Sequence, residues 1–376
     1  MNVLPFAQLK RSLVFWLGLA FICLLLLLAL SRNLENSLQA DWLLGDFSQT
    51  FYQAGLYLLR GENVYTSPYP RSYSTVVEFP PFNPIGILYL AAPLSVYPNI
   101  LASSLRFLIE LLLVSWLIFL CLRESQIHNF RNWLILLMAP WHWIGFLSGQ
   151  WSSFVVLGYL AMYLGLRRLS PALTAVGLWL ALGKPNISTL MVFITLVLAW
   201  RLGIFWQTNL RLLMLVAVTS LGQPSWPIDL AQLWLARLVN PTQELYFALV
   251  LPGHPWTQLT LLVFGAIFLM MLVFTQQIRK PTLWLWAVAT CLSLASALHT
   301  FIYDWLVLVL PLAWLLSRPK GWLAVVGLFL YPLIYIIGPF SEIRWLSPAL
   351  IPIVLCLVIG SSLRHANLAS YRLLQR

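Results

Sequence analysis

The sequence predicts an all-α polytopic membrane protein, and composition and charge placement carry that prediction. Sixty-one per cent of the 376 residues are hydrophobic and only 9% are charged. A soluble domain has about 25% charged residues and uses them to cover its surface. The basic residues here stand singly or in pairs between long apolar runs. Such a chain suits a helical bundle whose outer surface faces hydrocarbon.

Thirteen apolar runs are candidate membrane spans within a single domain over 1–376. A crossing helix needs roughly 20 residues, and fewer where it is short or buried in the bundle. The first run follows a basic start, but it exceeds a signal-peptide core of about 7–15 residues and has no small-residue cleavage site. It predicts a retained anchor with a cytoplasmic N-terminus. The thirteen runs are 13–31, 81–97, 100–122, 133–147, 150–166, 171–183, 187–204, 209–222, 256–276, 282–299, 302–317, 321–338 and 345–362.

The placement of Lys and Arg predicts the orientation, because short cytoplasmic loops retain positive charge. When membrane crossings are counted back from a cytoplasmic C-terminal tail, every basic loop as far as Arg123 and Arg131 falls on the cytoplasmic side. When crossings are counted forwards from a cytoplasmic N-terminus, the result differs from the backward count by one crossing between 81 and 131. We therefore expect one segment there to be re-entrant or half-length. Twelve crossings then fit better than thirteen. The net charge of +11 is explained by these loops, and without a basic stripe no nucleic-acid partner is predicted.

Two long loops are predicted on the non-cytoplasmic side, at 32–80 and 223–255. The first contains five of the eleven acidic residues. Long loops in a compact protein are usually functional. Residues 45–60 predict an amphipathic helix lying in the membrane interface, ended by Gly61, and 228–239 repeat the pattern more weakly. The polar stripe of the first helix is Asp46, Gln49, Gln53, Tyr57 and Arg60, opposite Phe47, Phe51, Ala54, Leu58 and Leu59.

Asp46 is the leading candidate for catalysis, since a carboxylate at the start of an interfacial helix can take a proton from an attacking hydroxyl. The alternative is a carboxylate that only favours the helix dipole. Asp41 competes for the same role. Glu78 is a third carboxylate of this loop, before the prolines that lead to the next apolar segment.

Lys184 is the only one of four lysines inside a long apolar stretch. A lysine at membrane depth faces the bundle interior or an anion, so a phosphate partner is expected. The alternative is a lysine that extends from a short helix end to the interface. Pro185 predicts a helix break there, and Gly183 is expected to let a ligand approach the backbone.

Other polar residues map to the same outer face or to the bundle interior. His299 is a candidate donor to a phosphate oxygen or an ordinary interface histidine, and Asp304 lies close to it in sequence. Gln150, after Gly149, would bind a sugar or simply close a turn. Arg106 and Glu110 are spaced i, i+4 and predict a self-neutralising pair. No metal-ligand spacing is present, so no metal or other cofactor is expected.

At these residues the chain resembles glycosyltransferase family 87, bacterial enzymes of the GT-C fold that include polyprenyl-phosphate-mannose-dependent mannosyltransferases. The resemblance covers most of the chain between about 40 and 318 as an ordered set of short pieces. The pieces are Asp46-Phe47, Tyr52, Ala54, Gly61, Asn63, Tyr65, Phe79-Pro80-Pro81-Phe82, Pro93-Leu94, Gly149-Gln150, Gly183-Lys184-Pro185 and Tyr303-Asp304-Trp305. Glu78 departs from the aromatic residue expected at its position.

The resemblance implies a GT-C-type bundle of 12–13 helices that transfers a hexose, with mannose expected, from a polyprenyl-phosphate sugar to a lipid or glycan acceptor. Transfer would occur with inversion at the outer leaflet of the cell membrane. Asp46 would be the general base, and the substrate would be bound by Lys184, His299, Gln150, Tyr52, Gln53, Asp304 and Glu78. The alternatives are a transporter or flippase using Lys184 and the Arg106–Glu110 pair, and a non-catalytic scaffold. A transporter usually has paired repeats, which the sequence does not contain.

Overall fold

The computed structural model describes residues 47–68, 83–139, 142–143, 145–146, 149–239, 256–275, 281–297 and 302–318. Every regular element within these ranges is helical. A π-helical turn over Phe47–Phe51 leads into the first α-helix, and a 3₁₀ turn over Ile302–Leu308 leads into the last. The α-helices are α1 Tyr52–Arg60, α2 Ile85–Leu88, α3 Ala92–Ser95, α4 Asn99–Glu124, α5 Phe130–Leu137, α6 Ser152–Arg167, α7 Pro171–Ala181, α8 Pro185–Arg201, α9 Phe205–Ser220, α10 Trp226–Val239, α11 Trp256–Thr275, α12 Leu283–Ala295 and α13 Val309–Leu316.

Two of the described helices, α4 and α11, are long and apolar enough to cross a membrane by length and composition. Five further apolar segments are shorter, with 10–17 residues each. The helical character predicted from composition is therefore confirmed over the described residues. The predicted runs at 13–31, 321–338 and 345–362 lie outside them. The predicted run at 133–147 contains a shorter helix than expected, because α5 ends at Leu137.

Local sequence signals set several helix boundaries. The side chains of Asn129, Ser170 and Thr282 accept hydrogen bonds from backbone amides in the first turns of α5, α7 and α12. Proline occupies the first position of α7 and α8, where its missing N–H costs nothing. Gly61 ends α1 in the left-handed conformation, with φ +71°, as the sequence predicted.

The helices define two ends of the bundle. At the polar end, α6 and α8 begin beside each other, since Lys184 and Ser152 are hydrogen-bonded there. Both helices run the same way for 16 and 17 residues and finish at Arg167 and Arg201. At this basic end, Arg167 pairs with Glu124 at the end of α4. Arg167 and Arg201 therefore lie at the opposite end of these helices from Lys184.

Helices α6 and α7 lie in close contact with each other. A Cβ added at Gly158 would lie 2.8 Å from the carbonyl of Gly177. A Cβ at Gly177 would lie 2.5 Å from the amide of Met162. Only glycine allows two helix backbones to approach this closely, a device common between membrane helices. This contact brings the start of α6 and the end of α7 together at the polar end.

The segment predicted as a span at 81–97 does not form a continuous helix. Over its described residues, 83–97, it contains only the four-residue helices α2 and α3. At its start, the Asn83 side chain donates to the carbonyl of Gly183 over 2.7 Å, and at its end Tyr52 donates to the carbonyl of Tyr97 over 2.8 Å. Both ends of the segment thus lie at the polar end. The prediction of one continuous spanning helix over this run was wrong. That one segment between 81 and 131 is re-entrant or half-length stays a prediction.

The helix predicted over 45–60 begins within the described residues at Phe47 and packs into the bundle. Phe47, Phe51 and Ala54 are buried, as the predicted apolar face requires. Two assignments were wrong: Tyr57 of the polar stripe is buried, and Leu59 of the apolar face is 52% exposed. The Tyr57 hydroxyl donates to the carbonyl of Pro68, which satisfies the polar end of the buried ring.

Candidate functional site

Lys184, Ser152 and Asp304 form a buried polar triangle at the polar end. The Lys184 ammonium lies 2.8 Å from Oδ1 of Asp304 and donates to the Ser152 hydroxyl over 3.0 Å. Ser152 in turn donates to the same Oδ1 over 3.0 Å. Asp304 is 1% exposed and Lys184 is 8% exposed. A buried charge is tolerable only when it is paired and hydrogen-bonded, and this arrangement meets both conditions.

Three separate elements supply the triangle. Ser152 opens α6, Lys184 immediately precedes Pro185 at the start of α8, and Asp304 lies in the 3₁₀ turn before α13. A Cβ on Gly183 would lie 3.0 Å from the side chain of Ile87. The missing side chain therefore makes room for Ile87, and the approach of a ligand to this glycine stays a prediction.

A second ion pair lies deeper along α4. Arg106 donates to Oε2 of Glu110 over 2.6 Å, and both side chains are almost fully buried. The self-neutralising pair predicted from the i, i+4 spacing is confirmed. Ser153 donates to the same Oε2 over 2.6 Å, so the carboxylate has a second partner from α6. The pair is thereby tied to a neighbouring helix, which its spacing alone does not require.

The segment 150–153 joins the two ion pairs. The carbonyl of Gln150 accepts from Arg106 over 2.5 Å, and the arginine lies 4.4 Å from the centre of the Trp151 ring. Ser152 and Ser153 then contact one carboxylate each. Gly149 has φ +74°, as a residue that closes a turn does. Turn closure, one of the two alternatives for this position, is therefore observed.

The helix of the first loop packs directly on this segment. The rings of Phe51 and Trp151 meet edge to face with their centres 5.4 Å apart. The hydroxyl of Ser48 lies 3.3 Å from that of Ser103 on α4. Phe47, the residue that follows Asp46, is fully buried in the same apolar cluster. The helix that begins at Phe47 thus contacts Trp151, which lies between the two ion pairs in sequence, and Ser103 of α4.

The two long loops also meet each other. Asn63 donates to Oδ2 of Asp229 over 2.8 Å and accepts from Gln223 over 2.7 Å. Gln223 accepts from the amide of Val64 over 3.2 Å, and Ser225 donates to Oδ2 of Asp229 over 2.7 Å. We call Asn63, Gln223 and Asp229 the loop clasp. Slight burial raises the pKa of Asp229, but hydrogen bonds from Asn63, Ser225 and Gln223 outweigh it and hold the pKa below its ordinary value.

A further set of hydrogen bonds leads from the clasp towards Lys184. The amide of Tyr65 donates to the Asn63 side chain over 2.9 Å, and the Tyr65 hydroxyl donates to the carbonyl of Asn83 over 2.8 Å. Burial, with Asp229 and Tyr89 nearby, raises the pKa of Tyr65, so its hydroxyl remains a donor. The Asn83 amide then reaches the carbonyl of Gly183.

The structure brings together Lys184, Asp304 and the segment at Gln150, which the sequence had assigned to one outer face. It gives Lys184 a protein carboxylate as a partner; the predicted phosphate contact stays a prediction. Tyr52 donates to the carbonyl of Tyr97, and Gln53 is half-buried. Asp46, Glu78 and His299 lie outside the described residues.

Sequence reasoning did not identify Ser152, Ser153, Gln223 or Asp229 as site residues, and it included Asn63 only as a piece of the resemblance. The serines carry a weak signal, since they are two adjacent hydroxyls at the start of an apolar helix after Gly149-Gln150. No local signal connects Asn63 with Asp229, which lies 166 positions further along the chain. Residues this far apart are joined only by the path of the backbone.

The two ion pairs form a buried polar centre at one end of an apolar bundle, and the described residues of the two long loops lie at the same end. Such a centre can bind a polar or charged group presented from the polar end while the rest of the ligand lies against apolar surface. Comparison of the chain with protein-family models, curated proteins and solved structures finds no match.

Proposed function

We propose that the protein is a multi-pass membrane glycosyltransferase with a GT-C-type bundle, acting at the non-cytoplasmic face. It would transfer a hexose, with mannose expected, from a polyprenyl-phosphate donor to a lipid or glycan acceptor. One observation carries the proposal: both long loops and both buried ion pairs meet at one end of the bundle. A lipid-linked sugar needs such a boundary, with apolar surface for the lipid and polar groups for its head.

In the proposed reaction the acceptor hydroxyl attacks the anomeric carbon of the donor sugar. The bond between that carbon and the phosphate oxygen breaks, and polyprenyl phosphate leaves with the electron pair. The hydroxyl proton passes to the carboxylate of Asp46, the general base of the proposal. Attack from the face opposite the leaving phosphate inverts the configuration. Lys184 would lie beside the phosphate, where a cation stabilises the charge that develops on the leaving group.

The arrangement of the first loop supports a role for its carboxylates. The helix that begins at Phe47 packs on Trp151, one residue before Ser152 of the polar triangle. A base contributed by this loop would therefore act beside a site rich in fixed polar groups. A non-catalytic scaffold would not need this concentration of buried charge, because burying ion pairs does not by itself stabilise a fold.

A direct test uses the full chain reconstituted in liposomes. Polyprenyl-phosphate sugars carrying radiolabelled mannose, glucose or galactose are supplied with a membrane extract as the source of acceptor. The proposal predicts labelled product together with an equal amount of released polyprenyl phosphate. Movement of the intact sugar lipid between leaflets without its cleavage would instead establish the transporter, and absence of both would contradict both readings.

The role of Asp46 is tested by Asp46→Asn, with Glu62→Gln as the matched control in the same loop. The Glu62 side chain is 45% exposed, so its neutralisation should leave turnover unchanged. Loss of the base should lower turnover by about 10²-fold or more. Near-normal turnover in Asp46→Asn would remove this residue as the base and leave the transferase itself standing.

A further inference from the structure

A continuous set of hydrogen bonds runs from the second long loop to the residue before Lys184. It passes from Asp229 to Asn63, through Tyr65 to Asn83, and ends on the carbonyl of Gly183. Each heavy-atom distance along it is 2.7–2.9 Å. Bonds of this length are well formed.

Asn83 is the member of this set that reaches the site. Its carbonyl accepts from the Tyr65 hydroxyl while its side-chain amide donates to Gly183. Gly183 lies in the turn between α7 and α8. Its carbonyl belongs to the peptide bond that joins it to Lys184. The direction of the Lys184 side chain depends on the orientation of that peptide. Ile87 packs against Gly183, so residues of the same short segment contact the turn by both a polar bond and an apolar side chain.

We propose that Asn83 is a positioning residue that orients Lys184 towards Asp304 and Ser152 by holding the carbonyl of Gly183. The loop clasp steadies Asn83 through Tyr65, so the two outer loops together set the geometry of the ion pair. A role of Lys184 in binding a lipid phosphate rests on the proposed function. The positioning of the Lys184 side chain by Asn83 does not.

The test measures how readily the Lys184 amine reacts, because a correctly held lysine is buried and reacts slowly. The other three lysines, Lys10, Lys280 and Lys320, are replaced by arginine, so that Lys184 is the one lysine left in the chain. The purified protein is exposed to an amine-reactive reagent, and labelling of the Lys184 peptide is followed by mass spectrometry. No substrate is needed, and the readout reports the position of one side chain.

Asn83→Ala should raise the labelling rate by about tenfold, the change in an opening equilibrium expected when one partly buried hydrogen bond is lost. Asn209→Ala is the matched control. Asn209 also donates to a backbone carbonyl, that of Phe205, but it lies on α9 away from this turn. Its labelling rate should equal that of the parent. An equal rise in both variants would indicate general loosening and overturn the proposal.

Two further variants test the connection to the clasp. Tyr65→Phe removes only the hydroxyl that reaches Asn83 and should raise labelling by a smaller factor. Asn63→Ala should also raise it, and combining it with Asn83→Ala should add nothing, since members of one network are non-additive. Tyr65→Phe is the gentlest change, so it decides the case if Asn83→Ala does not fold. Parent-like labelling in every variant that folds overturns the proposal.

The two proposals fail separately. If liposomes show no sugar transfer while Asn83→Ala labels faster, the glycosyltransferase is wrong and the positioning of Lys184 stands. If transfer occurs but labelling does not change, Asn83 has no positioning role and the enzyme assignment stands.

Discussion

The ammonium of Lys184 lies 2.8 Å from the carboxylate of Asp304, a partner that follows it by 120 positions. Each of these charges depends on the other, because both are largely withdrawn from solvent. Ser152 bonds to both and fixes their distance. The pair connects the starts of α6 and α8 with the turn before α13, so it matters to the fold as well as to any chemistry.

Removing either charge should destabilise the protein strongly. Lys184→Ala and Asp304→Ala should each lower the free energy of unfolding by about 3–5 kcal/mol, because each leaves a buried charge without its partner. Replacing both, as Lys184→Met with Asp304→Leu, should cost much less than the sum of the single changes. Thermal unfolding in detergent measures all three variants. Single variants as stable as the parent would contradict the buried pair.

Ser153→Ala should weaken the second ion pair. It removes the hydroxyl that donates to Glu110, at a cost of about 1–3 kcal/mol for a buried acceptor. Ser104→Ala is the control, since that serine is exposed and bonds only within its own helix turn. The control should change stability by less than about 0.5 kcal/mol. Equal effects of the two substitutions on the unfolding temperature would refute the prediction.

The loop clasp should weaken only in acid. The pKa of Asp229 is lowered in the folded protein, so the carboxylate stabilises the clasp above its unfolded pKa of about 3.9. That stabilisation is lost as the pH falls through the lower folded value. Hydrogen exchange at the amides of Val64 and Tyr65, corrected for intrinsic rates, should stay constant from about pH 8 to about pH 4 and then accelerate.

The control for the clasp is Asp229→Asn, which has no carboxylate to titrate. Its exchange profile should show no acceleration below about pH 4. Acceleration in the parent already between about pH 7 and pH 5 would assign the pH dependence to a different group.

Labelling of single cysteines can locate the segment 83–98 in a membrane. After the four native cysteines are replaced by serine, Thr66→Cys and Val96→Cys should react with an impermeant maleimide from the same side of a proteoliposome. Phe130→Cys, beyond the long helix α4, should react from the other side. Labelling of positions 66 and 96 from opposite sides would mean that the segment crosses, and the crossing count would then return to thirteen.

Local signals in the sequence predicted several features that the structure confirms. The run at 100–122 appears as Asn99–Glu124, because a long apolar stretch without prolines propagates as one helix. Gly61 ends its helix, and Arg106 pairs with Glu110, since i, i+4 neighbours meet on any helix. These features need no knowledge of the rest of the chain.

The run at 81–97 shows where local reading fails. Its apolar residues resemble a span, yet Gly86 packs against Trp179 of α7 and Ile87 packs against Gly183. Pro84 and Pro93 lie within it, and its described helices have only four residues each, too few to cross. Apolar composition alone does not distinguish a segment buried in protein from one that faces a bilayer.

The sequence by itself determined a helical, apolar chain, and it predicts that the basic residues lie at one side and the long polar loops at the other. Periodicity, capping residues and charge placement are local properties, and each acts over a few residues. Only the tertiary structure decided that Lys184 pairs with Asp304, that Asn63 reaches Asp229 and that Asn83 holds Gly183. These partners lie 100 to 166 positions apart, and their meeting depends on how closely packed helices return the chain to the same end.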